Sequence, residues 1–105
     1  MLQQNFETPY YAVIFTSLLS NTSSGYEEMA VRMENLAKLQ KGFLGVESAR
    51  ADIGITISYW KTEADIIAWK NNIEHSESRK LGREKWYQQY QLRVCLVERN
   101  YGFKK

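Results

Sequence analysis

The chain has 105 residues, a length that fits one domain and leaves little room for a second. Hydrophobic residues make up 44% of the sequence and charged residues 25%, which excludes an intrinsically disordered chain. The formal net charge of +2 is too small to indicate a nucleic-acid partner.

The first half of the chain predicts a strand, a helix and a second strand. Tyr10–Leu19 is rich in aromatic and β-branched residues, as a buried strand should be. Apolar residues recur at helical spacing within Ser24–Gln40, and Ser24 with Glu27 forms a capping box that predicts the start of this helix. Phe43–Arg50 follows as a strand and completes a strand-helix-strand unit.

The second half of the chain repeats this order. Ile53–Trp60 alternates strongly and predicts a strand. Thr62 begins the next helix, with Asp65 at the capping-box position. The helical pattern then continues to Tyr87, either unbroken or with a break near residues 75–78, and a final strand is predicted over about Tyr90–Val97.

The predicted order of elements is that of a ferredoxin-like α+β domain. In this fold an antiparallel four-stranded sheet carries two helices on one face. We interpret residues 1–105 as a single domain with its core between about residues 10 and 98.

Both faces of the first predicted strand are apolar. Its alternating sets are Tyr10, Ala12 and Ile14 on one face and Tyr11, Val13 and Phe15 on the other. Two helices can cover only one face of the sheet, so we expect a second copy on the other, giving a homodimeric α+β barrel. Trp60 shares its predicted face with Thr56 and Ser58, and we expect it to be a structural residue on the dimer side.

Targeting and metal-binding signals are weak. The N-terminal segment lacks the basic and apolar regions of a signal peptide, and no stretch approaches the ~20 apolar residues of a membrane span. Cys95 is the only cysteine, which excludes an intramolecular disulfide, and no Cys/His cluster indicates zinc. We therefore expect a cytoplasmic protein with no membrane partner.

Three segments carry a resemblance to a known family. They are SYWKTEADIIAWKNNIEH at residues 58–75, GFLGVESAR at residues 42–50 and RKLGREKWYQQYQLRVCLVERNYGF at residues 79–103. Together they resemble the antibiotic-biosynthesis monooxygenases, in a small bacterial branch of that family. The resemblance implies a dimeric α+β barrel. It also implies one of three roles, because some members oxygenate polycyclic aromatic substrates without metal or flavin, some bind and open haem, and others have no known activity.

His75, the only histidine, has two interpretations. Cofactor-independent oxygenation requires a base that removes a proton from an electron-rich phenol in a dry site, and His75 is the candidate. Alternatively, it is a surface or helix-end histidine beside Glu74 with no chemical role.

Haem is the second alternative that the resemblance raises. Haem-degrading members ligate iron through a histidine downstream of a tryptophan. Here Trp69 and His75 are six positions apart, and the longer family spacing falls on Arg79. Those members also use a first-strand asparagine, and residues 14–17 contain none.

A substrate cavity would be lined by aromatic side chains, with one hydroxyl from Thr16. Trp69 matches the helix tryptophan that lines the pocket in relatives, but it shares helical spacing with Ile66 and Ile73, so a core role also explains it. The predicted substrate-binding residues are Trp69, Tyr26, Tyr59, Trp86 and Thr16.

Three functions therefore remain open. The leading prediction is a monooxygenase that oxidises a small aromatic or quinol-type substrate with molecular oxygen, without metal or flavin. The second is a haem-binding or haem-degrading protein, and the third is a non-enzymatic dimeric binding domain.

Overall fold

Two helices pack on one face of a four-stranded antiparallel sheet. The computed structural model describes residues 5–74, 80 and 85–105. Along the chain, the elements are β1 (Tyr10–Leu19), α1 (Tyr26–Lys38), β2 (Phe43–Arg50), β3 (Gly54–Trp60), α2 (Glu63–Glu74) and β4 (Tyr87–Val97). The strands lie in the order β2-β3-β1-β4, and each neighbouring pair is antiparallel. This is the ferredoxin-like α+β fold predicted from the sequence, and the prediction is confirmed.

The predicted boundaries differ from the structure mainly at the start of β4. Tyr87, predicted as the end of a helix, is the first residue of β4 and pairs with Leu19 beyond a bulge. Its ring also contacts the ring of Tyr26, with centroids 5.6 Å apart. Strand pairing and ring packing outweigh the local helical pattern here. The predicted helical continuation at residues 75–79 and 81–84 lies outside the described residues.

The start of α1 also differs from its prediction. Gly25 is the N-cap residue, in a left-handed conformation with φ of 86°, and no side chain caps the helix. The predicted capping box of Ser24 and Glu27 does not form, so this prediction is wrong. The backbone oxygen of Ser24 instead accepts a hydrogen bond from Nε1 of Trp86 at 2.8 Å, which fixes the approach to α1.

The start of α2 follows its prediction closely. The backbone N–H of Asp65 donates to Oγ1 of Thr62 at 3.1 Å, and this hydroxyl donates to Oδ2 of Asp65 at 2.8 Å. The Asp65 carboxylate lies against Gly42, where an added Cβ would come within 1.9 Å of Oδ2. Gly42 also has φ of +81°, so both its conformation and the space require glycine.

The stacking of two tryptophans shows which face of the sheet the helices cover. The indole of Trp60 on β3 stacks on Trp69 of α2, with centroids 6.1 Å apart. We call this covered face the helix face and the opposite one, which includes Ile14 and Ile57, the outer face. Trp60 is fully buried, and its Nε1 donates to Oγ of Ser58 at 2.9 Å. The structural role of Trp60 is confirmed, but its expected position on the dimer side is wrong.

We expect Trp60→Ala to lower the free energy of unfolding by about 3–5 kcal/mol, because a large buried ring leaves a cavity that the sheet cannot close. Trp69→Ala should cost less, since Trp69 is only half-buried. Urea unfolding of both variants measures the difference. Equal losses would contradict the unequal burial of the two indoles.

Candidate active site

The structure separates the predicted site residues onto two faces of the sheet. The predicted aromatic residues on the helix side are Trp69, Tyr26 and Trp86. Thr16 and Tyr59 lie on the outer face, as their pairing with Ile55 and Ala12 shows. One pocket therefore cannot contain all five side chains. His75 lies outside the described residues.

A partly exposed strip of apolar side chains, which we call the trough, runs along the helix face over β1 and β4. We define it by Val13, Phe15, Leu92, Val94 and Leu96, which share this face in the β1–β4 register. Leu92, Val94 and Leu96 are 47%, 46% and 49% exposed, although they lie on the side of the sheet that carries the helices. The trough is therefore open and can accept a flat apolar ligand.

Aromatic rings form one end of this trough. Phe15 stacks on Tyr90 with centroids 5.3 Å apart and an interplanar angle of 23°. Tyr87 lies 5.4 Å from Phe15 and 5.7 Å from Tyr90. Tyr26 meets Tyr87 at 5.6 Å and Trp86 at 6.4 Å, both edge to face. The resulting wall presents ring faces and edges to any planar ligand in the trough.

Sequence reasoning found Tyr26 and Trp86 but missed the other three rings. The sequence predicts Tyr87 in a helix, and simple strand alternation would place it with Gln89 and Gln91 on the outer face. The register shift at Leu18/Leu19 is what brings Tyr87 to the aromatic wall. The alternation of Leu92, Val94 and Leu96, extended backwards, would have placed Tyr90 on the same face.

A polar group adjoins the aromatic wall. Nη2 of Arg50 donates hydrogen bonds to Oγ of Ser17 at 2.6 Å and to Oη of Tyr26 at 3.3 Å. Burial raises the pKa of Tyr87, and a hydrogen bond with Tyr26 raises it further, while the Arg50 charge opposes the shift. Tyr87 therefore stays protonated at neutral pH.

A second aromatic cluster lies on the outer face. Tyr59 contacts Phe6 and Tyr10, with centroids 5.7 and 5.9 Å away, and Oη of Tyr10 donates to Oδ1 of Asn100 at 2.9 Å. Oη of Tyr59 donates to Oε1 of Glu47 at 2.5 Å. Burial, followed by this hydrogen bond, raises the pKa of the Tyr59 phenol to about 12. The cluster joins both ends of the chain to the sheet, which is a structural role.

Residues 5–74, 80 and 85–105 contain no group of three His, Cys, Asp or Glu side chains that could hold a metal ion. Among these same residues, no helix has the length and apolar character needed to cross a membrane.

We expect Tyr59→Phe to change how stability depends on high pH. The folded-state pKa is raised from 10 to about 12, so the Tyr59 contribution is fully present below pH 10 and is lost as pH rises towards 12. The stability advantage of the wild type over Tyr59→Phe should therefore shrink between these two values. Urea unfolding across this range measures the advantage.

Tyr101→Phe is the matched control, because Tyr101 is 84% exposed on the C-terminal tail. The stability of Tyr101→Phe should depend on pH in the same way as that of the wild type. A constant gap between wild type and Tyr59→Phe up to pH 12 would show that the Tyr59 phenol is not held in its protonated form.

Comparison with known proteins gives one sequence relative and a consistent structural group. No protein-family model matches the chain. The uncharacterised protein YqjZ of Bacillus subtilis is 47% identical over 106 residues, covering 99% of this chain and 93% of YqjZ.

Solved structures of lower identity share the fold. A mutant of SnoaB, a cofactor-independent oxygenase from Streptomyces nogalater, superposes with a TM-score of 0.75 at 9% identity, covering 89% of this chain and 97% of SnoaB. A Nitrosomonas europaea protein, named as a candidate antibiotic biosynthesis monooxygenase, gives 0.72 at 13% identity and covers 93% and 97% of the two chains. The resemblance drawn from the sequence is thus confirmed at the level of the fold. The chain belongs to the family of Bacillus subtilis YqjZ and has the fold of the antibiotic-biosynthesis-monooxygenase-type proteins.

Proposed function

We propose that the protein is a monooxygenase that oxidises a small aromatic or quinol-type substrate with molecular oxygen, without metal or flavin. The observation that carries this proposal is the open apolar trough, which ends in the aromatic wall of Phe15, Tyr87 and Tyr90. A planar ring can lie over the aliphatic side chains and meet aromatic rings at its end. SnoaB, a cofactor-independent oxygenase, has the same fold, which adds support.

The proposed reaction needs an ionised substrate in a dry site. Loss of a proton from an activated ring CH₂ gives a carbanion, which donates its electrons to O₂. Protonation of the adduct gives a hydroperoxide, and loss of water leaves a carbonyl. The overall change, CH₂ + O₂ to C=O + H₂O, needs no external reductant. A substrate ring lying on the apolar trough would displace the water between itself and the protein, on the side where the ring contacts these side chains.

His75 remains the proposed base for the first step. It is the only histidine of the chain, and its side chain ionises near neutral pH in ordinary surroundings. This assignment rests on the sequence, because residue 75 lies outside the described residues.

We expect metal-free protein, treated with chelator, to consume oxygen when given hydroquinones or hydroxynaphthalene-type substrates. One O₂ should be used per product formed, with one ¹⁸O atom from ¹⁸O₂ in each product. His75→Ala should abolish this uptake and leave thermal unfolding close to that of the wild type.

Asn72→Ala, on the exposed side of α2, is the matched control and should retain full uptake. Full activity in His75→Ala would remove the histidine from the mechanism. Folded protein that consumes no oxygen with any substrate of the panel would count against the monooxygenase itself.

A second copy of the chain is the proposed partner. The outer face carries Ile14, Ile55 and Ile57, and Ile55 is 44% exposed. The two described helices pack on the other face, and a partner chain would cover these isoleucines. Sheet-to-sheet packing with two-fold symmetry would do so.

We expect light scattering to give twice the chain mass at micromolar concentration. Ile57→Lys should shift the mass towards that of one chain, because the ammonium would be buried in the apolar contact. Ile67→Lys is the matched control: Ile67 is 58% exposed on α2, and this variant should remain dimeric. A wild-type mass of one chain would overturn the dimer.

A further inference from the structure

Arg50, the last residue of β2, extends its guanidinium over the sheet and not away from it. Arg50 lies at the end of an edge strand, where a long charged side chain ordinarily extends into water. Here its guanidinium crosses β3 and reaches Ser17 on the central strand β1, at 2.6 Å. Ser17 is only 2% exposed, so the guanidinium forms this hydrogen bond with a buried side chain.

Gly54 makes this crossing possible. In the strand register, Arg50 lies opposite Gly54, and Gly54 lies opposite Ser17. A Cβ added to Gly54 would lie 2.0 Å from Nη2 and 2.1 Å from Cζ of Arg50. The guanidinium therefore occupies the space that any other residue at position 54 would fill with its own side chain.

Two hydrogen bonds and a ring fix the guanidinium. Nη2 uses its two hydrogens on Ser17 and Tyr26, and Cζ lies 5.2 Å from the centroid of the Tyr26 ring. Across residues 5–74, 80 and 85–105, no carboxylate pairs with Arg50 and no acceptor takes the N–H groups of Nε and Nη1. The residue is nevertheless exposed, so a ligand can reach the charge. Such a fixed cation, with unused N–H donors on Nε and Nη1, is suited to an oxyanion.

The charge lies at the aromatic end of the trough. Ser17 pairs with Tyr90 on β4, and the next row on the helix face holds Phe15 and Leu92, about 7 Å along the strands. A ring that lies over Phe15 and Leu92 would therefore bring a substituent at its edge towards Arg50.

We propose that Arg50 binds the oxyanion of an aromatic ligand, either a carboxylate or an ionised phenol on the ring. Ser17 and Tyr26 fix its guanidinium, and Gly54 leaves the space that it occupies. The choice of an aromatic ligand rests on the proposed function. The anion site itself rests on the geometry of Arg50. In the proposed reaction, this contact would favour the ionised form of the substrate, whose proton leaves to the base.

Calorimetric titration at fixed ionic strength tests the proposal with 2-naphthoate and its neutral isostere 2-naphthamide. We expect the wild type to bind the carboxylate about tenfold more tightly, as a charge-assisted contact provides. 4-Nitrophenol, which ionises near neutral pH, tests the phenolate: binding should lower its apparent pKa, seen in its visible absorption. If the site prefers one of these two anions and not the other, the anion site is supported, and the result identifies whether it accepts a carboxylate or a phenolate.

Two variants remove the contact in different ways. Arg50→Gln deletes the charge. Gly54→Ala keeps every charge but displaces the flexible end of Arg50, and Gly54 has no positive φ that would strain an alanine. In both variants the affinity ratio should fall to about one. Arg93→Gln, which removes an exposed arginine on the outer face of β4, is the matched control and should keep the ratio.

Circular dichroism confirms that each variant is folded. Equal affinities in the wild type, an anion preference that survives in Arg50→Gln, or no binding of any probe would overturn the proposal. An anion preference without oxygen uptake on any substrate would count against the monooxygenase and leave the anion site supported.

Discussion

The central strand β1 sets the arrangement of the whole molecule, because it pairs on one side with β3 and on the other with β4. Its side chains alternate between two apolar faces, so each face needs a cover. The helices pack on one face, where Trp60 and Trp69 stack, and the proposed dimer would cover the other. The same strand contributes Phe15 to the trough and Ser17 to the Arg50 contact, and both positions follow from its register.

Two glycines, at opposite ends of the helix face, each leave space for a charged side chain. Gly42 leaves room for the Asp65 carboxylate at the start of α2, and Gly54 leaves room for the Arg50 guanidinium. In each case an added Cβ would lie about 2 Å from the polar group. The Asp65 contact is part of a helix cap and supports the fold. Arg50 meets no carboxylate in the described part of the chain, and this difference supports the proposed anion site at Arg50.

The sequence was sufficient for the elements whose pattern is local. β1 and β2 have the predicted bounds, and the Thr62–Asp65 cap forms as expected, because alternation and capping depend on residues a few positions apart. The start of β4 could not be read in this way, since Tyr87 is a strand residue only through its pairing with Leu19.

The candidate site depended even more on distant contacts. Arg50 and Ser17 are 33 positions apart, and an arginine at a strand end ordinarily indicates solvent. The sequence found rings that could line a cavity, but it could not say which face of the sheet each would join. The sequence therefore predicts Tyr59 and Tyr26 in one cavity, although strand pairing puts Tyr59 on the outer face.

The open trough lowers the stability of the domain, because its apolar side chains are not fully buried. Full burial of a leucine or valine side chain contributes roughly 1.5–3 kcal/mol, so leaving one half exposed forgoes about 1 kcal/mol. Leu92, Val94 and Leu96 are each about half exposed on the face that already carries the helices. An extra turn of helix or a larger side chain there would recover that energy in a domain small enough to need it. Because the apolar surface remains open beside an aromatic wall and a fixed positive charge, its arrangement fits a ligand that supplies both the missing apolar contact and the missing negative charge.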